Sequence, residues 1–212
     1  MGDGCQLCSE PAELVIGGAE DLVAVARQIH RRTTVPGAPF VVCGPRPHQS
    51  DKSLGVLSHA DATAAYNLAA GGTVCVRADE LPKRYSHLVQ LTSDRGARAQ
   101  LMVCAENATA PSISVPDLDV RTPTQLQRIV AEYAADGIRE LSAAPTSFTE
   151  ENHAWLVSQV KGDAATSFAE LEIASLRLVA LNETGNVHAA AARLGVHPGG
   201  LRRWFKRHRI KL

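Results

Sequence analysis

With 212 residues, 45% of them hydrophobic and 21% charged, the chain can bury one sizeable core plus a small second unit, which excludes a disordered polymer. No apolar run approaches the roughly 20 residues of a membrane helix, and the N-terminus has no basic-then-hydrophobic leader, so a cytoplasmic protein without membrane contact is expected. The zero net charge hides an asymmetry: after Glu183 there are seven basic residues and no acidic one, so the remainder sums to −7. A basic tail on an acidic body implies that only the tail meets a polyanion.

Residues 1–12 read as a flexible N-terminus. Cys5 and Cys8 form a lone CxxC there, which lacks the further ligands that zinc requires. Metal or redox function and an ordinary terminal segment both stay open, the second being the simpler; no metal and no cofactor is expected. The first strand is Glu13 to Gly17, followed by an amphipathic helix from Asp21 to Arg32 and a second strand over Pro39 to Gly44. A polar loop leads to a helix around Ala60 to Ala70. Thr73 to Val76 and Gln100 to Ala105 are further apolar strands. Cys43, Cys75 and Cys104 lie in these runs, where cysteine acts as a small buried hydrophobe. Continuous apolar strands alternating with helices predict a parallel sheet covered on both faces. Pro111 to Pro123 reads as irregular. Helices are expected over Pro123–Leu141, Thr149–Lys161 and Phe168–Asn182, with a boundary at Lys161-Gly162-Asp163. His30, His48, His59 and His153 are scattered and receive no role.

The tail is the most informative segment. Ser167-Phe168-Ala169-Glu170 has the form of a capping box, and Leu171, Ala174, Leu178 and Leu181 follow at helical spacing. A short helix, Val187 to Leu194, stops at Gly195; a third opens with Pro198 in its first turn. Leu201 and Phe205 point inward, leaving Arg202, Arg203, Lys206 and Arg207 on the other sides. A helix, a glycine turn and a basic helix in that order suit a recognition helix in the DNA major groove. A solvated basic face is the plainer alternative. For Trp204, packing or dimer contact outweighs base stacking.

The string GNVHAAAARLGVHPGGLRRWFKRHRI closely resembles the Fis-type helix-turn-helix that ends bacterial enhancer-binding proteins. The resemblance covers about the last 45 residues and implies a homodimer reading a two-fold-related site on double-stranded DNA. It places the DNA contacts at His197, Gly199, Gly200, Arg202, Arg203, Lys206 and Arg207. Gly199 and Gly200 stand where the family carries side-chain donors, so backbone or arginine contacts must carry more of the recognition.

The body is similar to the AAA+ domain of the same family, an ATPase that remodels RNA polymerase. ARQIHRRT with PFVVC resembles the helix and strand after the P-loop, AAGGTVCV the approach to the Walker B strand, and SFAELEIA the helix containing RELEN. The chemistry is missing. A P-loop needs GxxxxGK[ST]; here stands Gly17-Gly18-Ala19-Glu20-Asp21-Leu22, without lysine and with two carboxylates, and Lys52-Ser53 lacks the spaced glycine. The Walker B strand ends in Arg77-Ala78, with Asp79 and Glu80 two residues late. The arginine-finger segment before Pro116–Arg121 is absent, and the sensor arginine is replaced by Ala169. The GAFTGA loop of the family aligns with Gly55 to Ala60, its Phe and Thr replaced by Leu57 and Ser58.

The fold class expected is therefore α/β: a truncated AAA+-like parallel sheet with flanking helices, then an all-α Fis-type helix-turn-helix domain. Residues 13–122 would form the degenerate α/β domain, 123–164 a helical subdomain and 165–212 the DNA-binding domain. The function expected is a non-enzymatic, sequence-specific transcription regulator, with other regulators or RNA polymerase as further partners. The alternative is a protein-interaction or nucleotide-like-ligand sensing module with DNA binding secondary.

Overall fold

The computed structural model describes residues 13–18, 21–46, 56–107, 112–161 and 167–210. Cys5, Cys8, His48, Lys52-Ser53, Gly55, the Gly162-Asp163 turn and the whole N-terminal segment lie outside these. The described chain is an α/β structure with six strands, all parallel, and eight α-helices. The strands are β1 (Glu13–Gly17), β2 (Phe40–Cys43), β3 (Leu57–His59), β4 (Thr73–Arg77), β5 (Gln100–Ala105) and β6 (Ser112–Ser114). They lie in the order β3-β2-β4-β5-β1-β6. The helices are α1 (Leu22–Thr33), α2 (Ala62–Leu68), α3 (Tyr85–Ser93), α4 (Pro123–Glu140), α5 (Glu150–Lys161), α6 (Phe168–Thr184), α7 (Val187–Arg193) and α8 (Pro198–Arg207).

Alternate side chains of each strand leave on opposite faces, and both faces are apolar, as a sheet covered on two sides requires. Ile16, Phe40, Val42, Cys75, Met102 and Cys104 pack under α1 and the later helices. Val41, Cys43, Val74, Val76, Leu101 and Val103 pack with Ala62, Ala65, Tyr66 and Leu88 of α2 and α3. The three described cysteines are buried thiols, with Cys75 and Cys104 Sγ 3.6 Å apart on neighbouring strands. Among the described residues no helix is long and apolar enough to cross a membrane.

Three elements differ from expectation. The residues 111–123, read as irregular, contain β6, which pairs with β1 through Val15↔Ser112, Ile16↔Ile113 and Gly17↔Ser114. The stretch aligned with the GAFTGA loop contains β3, an edge strand paired with β2. Both have only three residues, with side chains largely exposed, so neither carries an apolar pattern. Helix α3 was not foreseen: it buries only Leu88, and its N-cap, Arg84, makes no side-chain cap hydrogen bond.

His30 shows how the amino ends of the strands are sealed. Its ring is 5% exposed, with Nδ1 2.7 Å from Thr73 Oγ1 and Nε2 3.1 Å from the Ala38 carbonyl. A carbonyl only accepts, so Nε2 carries the proton and Nδ1 accepts from the Thr73 hydroxyl. Gln100 Nε2 also donates to Thr73 Oγ1, at 2.6 Å. Protonating Nδ1 would turn it into a second donor against that oxygen and leave the hydroxyl proton without its acceptor. Burial, with Arg27 and Arg31 alongside, holds the His30 pKa below its ordinary 6.5. The folded state thus binds this proton less readily than the unfolded chain, and its stability is full above pH 6.5 and declines below. The expected result is a urea midpoint that falls as the pH is taken from about 7 to about 5, with a shallower fall in His30→Gln. Identical slopes in the two proteins would remove His30 as the cause.

Candidate nucleic-acid interface

Three consecutive helices build the tail, and each begins on a side-chain cap. Ser167 Oγ accepts from Glu170 N at 3.2 Å while Glu170 Oε2 accepts from Ser167 N at 3.2 Å, the expected capping box. Asn186 Oδ1 accepts from Ala189 N at 2.8 Å to start α7. His197 starts α8 by accepting from Gly199 N at 3.1 Å, and Pro198 occupies the first turn. The chain reverses between α7 and α8 at Gly195, whose φ of 66° is the left-handed conformation that glycine adopts without strain.

Leu201 and Phe205 are the buried residues of α8, at 1% and 0% exposure, packed with Val187, Ala190, Ala191 and Leu194. Arg202, Arg203, Lys206 and Arg207 are all exposed, and His197 with them; Gly199 and Gly200 are half-buried at the start of the helix. The structure therefore brings the seven sequence-derived site residues onto one element, on the side away from its core. Among the described residues, no carboxylate forms a salt bridge with any of the four α8 cations.

Trp204 faces sideways. Its ring meets Trp155 of α5 edge-on with centroids 6.2 Å apart, lies 4.5 Å from His208, and carries the Arg177 guanidinium 4.9 Å from its centroid. Packing of the tail against α5 is its observed role. Burial, with Arg207 and Arg177 nearby, lowers the His208 pKa.

The tail is docked on the body by polar hooks. Glu183 accepts from Ala144 N at 3.0 Å and from the Ser147 hydroxyl, and Asn182 Nδ2 donates to the Ser147 carbonyl at 3.0 Å. Arg193 donates to the Leu141 carbonyl. Glu172, whose side chain is 1% exposed, pairs with Arg27 Nη1 at 3.3 Å and with Arg31, and both arginines also pair with Glu140. This four-charge cluster joins α1, α4 and α6. It was not foreseen, because a helix carrying Arg-x-x-x-Arg reads as a solvated face until another helix lies on it.

The nucleotide-type positions of the body look different from the tail. At the carboxyl end of β1, Asp21 Oδ1 accepts from Ala24 N at 3.4 Å, so the α1 terminus is capped by a carboxylate. Ala19 and Glu20 lie outside the described residues. After β4, Asp79 sits in a short 3₁₀ turn and is held by Arg77 through contacts of 3.1 and 2.6 Å, which keep its carboxyl below the ordinary carboxylate value. Glu80 faces Arg46 at 3.9 Å.

No family model matches the chain, and no curated protein matches its sequence. A crystal structure of NtrX from Brucella abortus in complex with ATP is similar with a TM-score of 0.34 and 14% identity, over 98% of this chain and 69% of that one.

The two glycines of α8 make a direct test of its cap. A Cβ on Gly200 would meet nothing within 4 Å, whereas one on Gly199 would lie 3.2 Å from His197 Nδ1 and 3.3 Å from Cε1. Gly200→Ala should stabilise the protein by about 0.5 kcal/mol through helix propensity. Gly199→Ala should fall below it by about 1 kcal/mol, the worth of one N-cap. Equal urea midpoints for the two variants would mean that the His197 cap contributes nothing.

Proposed function

We propose that this chain is a sequence-specific, DNA-binding transcription regulator, in which α6, α7 and α8 form a Fis-type helix-turn-helix with α8 as recognition helix. The observation that carries the reading is the division of α8: its two large apolar residues are buried, and four cations that form no salt bridge with a carboxylate among the described residues stand on its outer side. Arg202, Arg203, Lys206 and Arg207 supply charge for phosphates and guanidinium forks for guanine edges. Gly199 and Gly200 let the backbone at the helix start approach the duplex closely. Association as a homodimer on a two-fold-related site follows from the family resemblance.

In the same reading the body is an AAA+-like domain without ATP turnover, kept for dimerisation, partner contact or ligand sensing. Asp21 puts a carboxylate where a P-loop would present N–H groups and a lysine to phosphate. Arg77 neutralises the acid that would otherwise be offered to a metal ion. Both features oppose binding of a metal–nucleotide complex at the carboxyl ends of the strands, where open α/β sheets hold such ligands. One observation favours a ligand-sensing role beside DNA binding. A cavity of about 660 Å³ opens between the end of α1, the start of β2 and the end of α4, lined by Arg31, Pro39, Phe40, Leu57 and Glu140 among others. It lies at the amino ends of the strands, away from the nucleotide position.

Replacing Arg202 and Arg203 together by glutamine should weaken binding to a preferred duplex by about 100-fold or more, each fork being worth about 1–3 kcal/mol. The thermal midpoint should stay unchanged, since both side chains are exposed. Retained binding in a gel-shift titration would sink the assignment of α8. The purified chain should also hydrolyse ATP no faster than buffer. Turnover that survives a contamination control would overturn the reading of the body.

A further inference from the structure

The ion pairs between α1, α4 and α6 leave one cation in surplus. Among the described residues, Arg27 and Arg31 share Glu140 and Glu172, two charges against two. Arg32, Arg128 and Arg139 share Glu132 and Asp136, three against two. Of those three arginines, Arg139 lines the cavity of about 660 Å³ at the amino ends of the strands, a volume suited to a small organic ligand. We infer that this cavity takes an amphipathic monocarboxylate held by Arg139 and Ser142, which rests on the ligand-sensing reading above and gives that ligand a chemical class. Its apolar body lies on a wall of Val35, Pro36, Pro39, Phe40 and Leu57. Val35 and Leu57 are large apolar side chains that the described fold leaves exposed, and such a ligand covers them.

Arg139 has donors to spare. One Nη meets Asp136 Oδ1 at 3.2 Å and the other donates to the Arg31 carbonyl at 3.4 Å. Its Nε–H and one N–H on each Nη meet no acceptor among the described residues, enough for a fork on the two oxygens of a carboxylate. The acids on the lining are already occupied. Glu140 is held by Arg27 and Arg31, and the buried Asp136 lies between Arg32 and Arg139. A phosphate monoester would set a second negative charge beside those two carboxylates, so a single charge is the better match.

Ser142 is the second sign of a built site. It stands one residue beyond Leu141, the C-cap of α4, with a φ of 46°. The turn is closed by Ser142 N on the Arg139 carbonyl at 3.1 Å and Ala143 N on the Ile138 carbonyl at 2.9 Å. Glycine takes that place without strain, and a side chain there costs stability. The residue that bears the strain is a serine lining the same cavity as Arg139, and its hydroxyl has no hydrogen-bond partner among the described residues. Strain of this kind is kept where a side chain has a ligand to meet.

The test uses the full chain and three probes that share one apolar body: phenylpropionate, its amide and phenylpropylamine, titrated by calorimetry at neutral pH. The carboxylate should bind about tenfold more tightly than the amide, and the amine more weakly than either. Arg139→Gln should remove that tenfold advantage and leave the affinity for the amide as it was. Ser142→Gly should raise the thermal midpoint and at the same time weaken the carboxylate about fivefold. Val35→Ser should weaken carboxylate and amide alike, which places the apolar body on the wall. Thermal melting checks the fold of each variant, and if Arg139→Gln melts early through the loss of a partner for Asp136, Ser142→Gly decides. Equal binding of carboxylate and amide would overturn the proposal and leave the ligand-sensing reading standing. So would a preference for the carboxylate that survives both Arg139→Gln and Ser142→Gly. If none of the three probes binds at millimolar concentration, the ligand-sensing reading falls together with the proposal.

Discussion

The position of the tail depends on one buried carboxylate. Glu172 is almost without solvent, and burial pushes its carboxyl up while Arg27 and Arg31 pull it back down. A charge in such a place is tolerated only with partners on it, and removing one partner of a buried pair typically costs about 3–5 kcal/mol. Arg27 and Arg31 are one turn apart on α1, the helix laid against the sheet, and Glu140 is the last residue of α4. Helix α6 can satisfy Glu172 in essentially one register against these two helices. Because α7 and α8 follow α6 through short turns, the same register sets where the basic helix stands relative to the sheet.

The apolar packing agrees with that constraint. One cluster of buried side chains runs from Ile16 in β1 through Val130 and Tyr133 in α4 and Leu171, Leu176 and Leu178 in α6 to Leu201 and Phe205 in α8. Dispersion and burial supply most of the stabilisation there but are not directional. The directional contacts are polar: the Glu172 cluster at one end of α6, and Glu183 and Asn182 at the other. Long apolar helices slide easily, and paired polar contacts at both ends choose one of the possible registers.

What could be read from the sequence was local. The four longer strands showed because each is a continuous apolar run, and the helix starts at Asp21, Ser167 and Pro198 showed because capping is written in the capping residues themselves. The edge strands β3 and β6 did not show, since three exposed residues have no pattern to display; their pairing is decided by the neighbour that offers its edge. The exposed basic side of α8 was legible because one helix and its cap, His197, hold all seven candidate residues. Arg177 and the Arg27–Glu172 cluster were not, because each acquires meaning only when a second helix packs over it. Trp204 is the instructive case: sequence favoured packing over stacking on a base, and Trp155, its partner, lies 49 positions away.

Charge distribution ties these observations together. At the carboxyl ends of the body strands, the chain answers its own charges: Asp21 accepts the Ala24 N–H at the start of α1, Arg77 takes Asp79, and Arg46 faces Glu80. A phosphate arriving there would have to displace a carboxylate or compete with one, at a distance where repulsion between like charges is strong. On α8 the reverse holds, with four exposed cations and no carboxylate set against them among the described residues. Such an arrangement is unfavourable to the isolated protein through self-repulsion. A polyanion lying along the helix would relieve it, and the release of that polyanion's counterions would add to the driving force. Among the described residues, the charges at the strand ends are thus matched within the chain, and those on the outer side of the last helix are not.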